Sequence, residues 1–127
     1  MAKKKITGMK DTGKRRKFKT GAMRDRVEGK PRPVLISPFL TERLAKWLEM
    51  GARKYTGRNW ELGIPIEEHF DSLERHLIKC KMRIEDEDHE IAVICNMMFI
   101  LHTREMIRRG LLPKSLDNMP YYEKRKK

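Results

Sequence analysis

Cysteine is scarce in this chain, and long apolar runs are missing. Cys80 and Cys95 sit inside apolar helical patterns with no C-x-x-C spacing. No disulfide framework or zinc ribbon is expected, and both thiols read as buried and free. The longest apolar stretch, residues 91–101, is interrupted by Asn96 and is far shorter than the roughly 20 residues that span a bilayer. The opening MAKKKITGMK has no apolar segment of the secretory kind, so a cytoplasmic protein with no membrane partner is expected. A Gly-rich phosphate loop, an H-E-x-x-H motif, an internal repeat and a strand-type alternation are also absent, which leaves helix as the organising period.

Acidic residues are sparse only at the two ends. Residues 1–35 carry thirteen basic and three acidic side chains, and the last five carry four basic and one acidic. Residues 36–122 are close to neutral, with thirteen basic and fourteen acidic. The high overall charge of +12 therefore belongs to the termini. A folded core that reads nucleic acid would carry its basic surface itself. The expected organisation is a disordered basic arm over 1–17, a globular domain over 18–113 and a basic tail over 114–127. The arm is expected to make at most weak, non-specific nucleic-acid contact.

Helical periodicity fills the centre. Ser37-Pro38 reads as a helix start, and Leu40, Leu44, Trp47 and Leu48 follow at helical spacing until about Tyr55. A loop holds Arg58, Asn59 and Trp60. A second helix is expected from about Pro65 to Arg83, with Ile66, Phe70, Leu73, Leu77, Cys80 and Ile84 as its apolar stripe. After the acidic linker Glu85-Asp86-Glu87-Asp88, a third helix is expected from about Asp88 to Arg109, ended by Gly110. Its middle, IAVICNMMFIL, is apolar nearly all round, so three helices cannot cover it. The expected fold is all-α, a bundle of three main helices completed by homo-oligomerisation into a dimer or tetramer, with a basic N-terminal arm.

The polar residues of the second and third helices are the candidate chemistry. Asp71, Glu74 and Arg75 lie beside the apolar stripe, and Asp86, Glu87 and Asp88 stand at the start of the third helix. If the two helices are antiparallel neighbours, these carboxylates can converge with His76 and His89. Oxygen-rich groupings of this kind suit Mg²⁺, which keeps water and substrate phosphates as its remaining ligands. Each residue also has a plainer reading: acids favour helix N-termini, Asp71–Arg75 makes an ordinary one-turn ion pair, and histidines are often structural. Asn96 demands an explanation, because a buried amide left unpaired costs about 1–3 kcal/mol. GARKYTGRNW, residues 51–60, gathers Arg53, Lys54 and Arg58 with Tyr55, Asn59 and Trp60. Cations can hold phosphate and a ring can stack on a base, or the aromatics can simply plug the core.

The run KFKTGAMRDRVEGKPRPVLISPFLTERLAKWLEMGARKYTGRNWELGIP, with FDSLERHL, DEDH and ICN after it, resembles the phage-associated dATP/dGTP diphosphohydrolases. These look like relatives of the all-α, MazG-like nucleoside triphosphate pyrophosphatases. The resemblance spans roughly residues 17–109. MazG-like enzymes hold Mg²⁺ or Mn²⁺ on E-E-x-x-E and E-x-x-D clusters. Here Asp71 with Glu74 takes the first place and Asp86 with His89 the second, while Asn96 follows seven residues beyond His89. His89 replaces an acid, and Asp88 remains open as the ligand of the later helix. The resemblance implies metal-dependent hydrolysis of a purine deoxynucleoside triphosphate to monophosphate and pyrophosphate. The implied catalytic residues are Asp71, Glu74, Asp86, Asp88 and His89, with Asp71, Glu74, Asp86 and His89 on the metal. The expected substrate contacts are Lys30, Arg32, Lys54, Tyr55, Arg58, Asn59, Trp60, Arg75, His76 and Asn96.

Overall fold

The computed structural model describes residues 5–6 and 8–124. The chain divides into two compact units, Met1–Leu35 and Ile36–Lys127. The second unit is an all-α bundle of three helices: α1 (Pro38–Lys54), α2 (Ile66–Lys81) and α3 (His89–Arg108). A short 3₁₀ turn at Asn59–Leu62 precedes α2 and another at Lys114–Leu116 follows α3. The first unit holds a feature that the periodicity did not announce, an antiparallel hairpin of β1 (Arg15–Lys17) and β2 (Met23–Asp25). Its loop is closed by Phe18 N–H to the Ala22 carbonyl and Gly21 N–H to the Phe18 carbonyl, both 2.9 Å. Gly21 takes a φ of +89° there, which glycine adopts without steric cost. Of the arm expected over 1–17, residues 1–4 and 7 lie outside the described residues, as do 125–127 of the tail.

Local chemistry sets the helix ends. Pro38 opens α1, where its missing N–H is no loss; Ser37 makes no side-chain cap, and its carbonyl instead accepts from the Thr41 amide at 3.2 Å. α3 ends in a Schellman motif: Leu111 N–H reaches the Met106 carbonyl and Gly110 N–H the Ile107 carbonyl, both 2.9 Å. Gly110 takes the left-handed position, φ +75°. α2 ends in the same pattern, with Ile84 N–H on Lys79 and Arg83 N–H on Cys80, both 3.1 Å. There the left-handed residue is Arg83, φ +55°.

The core lies along the α2–α3 seam. Ile66 and Leu73 of α2 meet Ile91, Ala92, Cys95 and Ile100 of α3, with His69, His89, Asn96 and Thr103 as the buried polar members. α1 and the 59–62 turn pack on α3 more lightly. Residues after Pro113 return to α2: Asn118 Oδ1 accepts from the Glu67 amide at 3.0 Å, and Asn118 Nδ2 donates to the Glu67 carboxylate at 3.3 Å. Among the described residues no helix is long and apolar enough to cross a membrane.

Candidate active site

The start of α3 and the middle of α2 bring two histidines together. His89, buried in the first turn of α3, points Nε2 at Asp86 Oδ1, 2.6 Å away, and Nδ1 at His76 Nδ1 of α2, 2.8 Å away. A carboxylate accepts and cannot donate, so His89 carries its proton on Nε2. Its Nδ1 is then a lone pair, accepting from the Nδ1–H of His76. Asp86 is held below the usual carboxylate range, chiefly by the His89 hydrogen bond. His76 is pushed below the ordinary imidazole value, first by burial and then by the neighbouring His89, and its ring meets the edge of Trp47 at 6.0 Å.

Glu87 completes the group. His76, Glu87 and His89 each offer one ligand atom, all within 4.8 Å of one another, and no other trio of acidic, histidine or cysteine donors among the described residues does so. Two imidazole nitrogens 2.8 Å apart need to part by only a few tenths of an ångström to become ligands of one ion, which at about 2.1 Å from it stand roughly 3.0–3.4 Å from each other. Asp86 sits behind His89 as a carboxylate behind a metal-binding imidazole does, fixing the tautomer and turning the lone pair toward His76. The donor set fits a divalent cation.

The other expected residues are placed as follows. Asp71 and Glu74 are exposed and do not join this group. They lie about 140° and 160° around α2 from His76. Arg75 is exposed and makes no ion pair with Asp71. Asp88 is occupied elsewhere. It caps α3 by accepting from the Ile91 amide at 3.3 Å and binds Arg43 of α1, which holds its carboxyl below the usual range. Asn96 donates to the Ala92 carbonyl at 2.9 Å and to Ser72 Oγ at 3.2 Å, so its burial is satisfied across the α2–α3 seam. Trp60 stacks on Phe99 with centroids 4.6 Å apart and meets the edge of His102 at 4.8 Å. One of its faces is therefore covered by α3. Arg58 pairs with Glu61 at 2.9 Å, Asn59 opens the 3₁₀ turn, and Lys54 lies 5.3 Å over the exposed ring of Tyr55. Lys30 and Arg32 are exposed in the first unit.

Two residues of the α2–α3 seam and its acidic entry have only weak signals in the sequence. Glu87 lies one residue from Asp86 in an acidic run, where order alone does not say which carboxylate faces inward. His69, seven residues before His76, is buried on the same face of α2, against Phe99 at 5.2 Å, and its Nε2 has no hydrogen-bond partner among the described residues. The His-x₆-His spacing was its available signal.

A family model described as dATP/dGTP diphosphohydrolase, N-terminal, matches residues 20–110. The chain is also similar to a dATP/dGTP diphosphohydrolase of Salmonella phage PMBT28, 32% identical over 78 residues. That alignment covers 58% of this chain and 27% of the relative, so the matched part spans about a quarter of the relative's length. No solved structure matches the chain.

Proposed function

The chain belongs to the dATP/dGTP diphosphohydrolase N-terminal family, and from that premise we propose that it hydrolyses purine deoxynucleoside triphosphates in the host cytoplasm. Water adds to the α-phosphorus, the bond to the bridging oxygen breaks, and the products are the monophosphate and pyrophosphate. The Asp86–His89–His76–Glu87 cluster carries this reading. His76, Glu87 and His89 would hold a divalent ion, which neutralises phosphate charge and makes a bound water acidic. Two of the three donors are imidazoles, so Mn²⁺ suits the group better than Mg²⁺, which prefers oxygen throughout.

Asp86 keeps the lone pair of His89 directed at the ion and away from solvent protons. His76, neutral through burial, has only to move its proton from Nδ1 to Nε2 to offer a lone pair beside that of His89. Lys54, Arg58 and Arg75 are the cations of the helical unit offered to the phosphates, and the exposed ring of Tyr55 offers a base a flat face. Ile94, Met97 and Leu101 leave an apolar strip of α3 uncovered at 39%, 40% and 64% exposure, which supports association of copies as a dimer or tetramer. The test is incubation with each of the four dNTPs and Mg²⁺ or Mn²⁺, with chromatography of nucleotides and an assay for pyrophosphate. Monophosphate and pyrophosphate from dATP and dGTP, but not from the pyrimidines, are expected. Release of orthophosphate in place of pyrophosphate, or no turnover, refutes the reading.

A further inference from the structure

The β1–β2 hairpin has two unlike faces. Arg15 stands opposite Asp25, Arg16 opposite Arg24 and Lys17 opposite Met23. Cross-strand partners share a side and sides alternate along a strand, so Arg16 and Arg24 stand together on one face. The other face is charge-compensated: Arg15 bridges Asp11 at 2.8 Å and approaches Asp25 at 3.9 Å, and Asp25 also accepts from the Thr12 amide at 3.1 Å. On the arginine face no acid answers. Arg16 spends Nε on the Asp25 main-chain carbonyl at 3.1 Å and lies 5.4 Å over the Phe18 ring. Among the described residues neither Arg16 nor Arg24 makes an ion pair. Arg26, just past β2, has a buried Nε with no hydrogen-bond partner among the described residues.

Like charges placed directly opposite weaken an antiparallel pair. Two three-residue strands have little pairing energy to set against that, and an anion bound across the pair would relieve it. We propose that this arginine face binds the phosphate backbone of nucleic acid, without reading sequence. Two observations support that occupant. Residues 8–35 carry ten basic and three acidic side chains, an excess suited to a polyanion. β1 also precedes residue 20, where the family match begins, so Arg16 comes from a segment that the match does not include. Guanidinium groups engage phosphate in bidentate fashion, and contacts of this kind position a protein without specifying a base. This inference is independent of the hydrolytic reading.

Fluorescence anisotropy of the full chain with a labelled single-stranded DNA oligonucleotide and its duplex, over a sodium chloride series, tests it. The unaltered protein should bind with a steep salt dependence. Arg16→Gln/Arg24→Gln should weaken binding at least about tenfold and reduce the log–log salt slope by about 1.4–1.8, the share of two phosphate contacts. Arg16→Lys/Arg24→Lys keeps the charge and should restore the slope. The charge-matched control Lys81→Gln/Lys114→Gln should stay within about twofold of the original affinity, and the KM for dATP should be unchanged in the arginine variants. No binding by the unaltered protein, or the same affinity and slope in the Gln/Gln variant, overturns the proposal. A raised KM for dATP with oligonucleotide binding intact assigns the face to the nucleotide substrate and overturns it equally.

Discussion

Because Asp86 can only accept, every proton from Asp86 to His76 has a determined place, and the unprotonated nitrogen of His89 faces His76 where an ion would sit. Mn²⁺ should therefore raise the melting temperature of the protein, and His89→Ala should abolish that rise. Asp86→Asn should weaken metal affinity about 10–100-fold, whereas Asp71→Ala, on the far side of α2, should leave it unchanged; calorimetric titration measures all three. Burial also holds His69 and His76 below the ordinary imidazole value. An unfolded imidazole titrates near pH 6.5, so below that pH the unfolded chain takes up protons that the folded chain refuses. The stability these two groups contribute is accordingly fully present above about pH 7 and lost as the pH falls through 6.5 toward the lower folded values. Melting temperatures measured from pH 7.5 to 5 should fall, and His69→Leu, which also removes the unpartnered Nε2, should flatten that fall. Trp60 is wedged against Phe99 and His102, so Trp60→Ala should cost about 2–4 kcal/mol of stability. A large rise in KM with an unchanged melting temperature would instead return Trp60 to the role of base platform.

The helices themselves were legible to within a residue or two, because each is bounded by punctuation with a physical cause: Ser37-Pro38 before α1, the acidic run before α3, Gly110 after it. The rotation of α2 about its own axis was less so. The hydrophobic stripe ran through Phe70 and Leu77, but the buried face is Ile66, His69 and Leu73, with Leu77 exposed at 41%. The real face is turned by about 40° toward the histidines, since hydrophobicity scales do not anticipate a histidine seam. That turn carries His76 inward and leaves Asp71 and Glu74 outside. At the C-terminal end of α2, Arg83 occupies a left-handed position that costs a side chain about 1–2 kcal/mol. After the entropy glycine loses on folding, Arg83→Gly should stabilise the protein by about 0.5–1 kcal/mol, read as a higher urea midpoint with an unchanged slope.

Across the whole molecule, the near-neutral helical centre and the basic ends followed from charge counting, while the hairpin did not. Strands of three residues are too short to establish a period of two, and Arg16 facing Arg24 runs against every pairing preference. The third helix is apolar nearly all round, and Ile94, Met97 and Leu101 are the strip of it that this chain leaves bare. Leu101→Lys should convert an oligomer to monomer in light scattering at micromolar concentration; a monomer before substitution would remove the proposed association.

The return of Asn118 to the first turn of α2 has a consequence for the order of events at the ribosome. Glu67 waits for a partner 51 residues downstream, and at roughly 5–20 residues per second that interval is about 3–10 s of translation. α2 therefore emerges with an open first turn, and the two histidines of the cluster are both synthesised before the closure that Asn118 supplies. The nascent helical unit is finished from its C-terminal side.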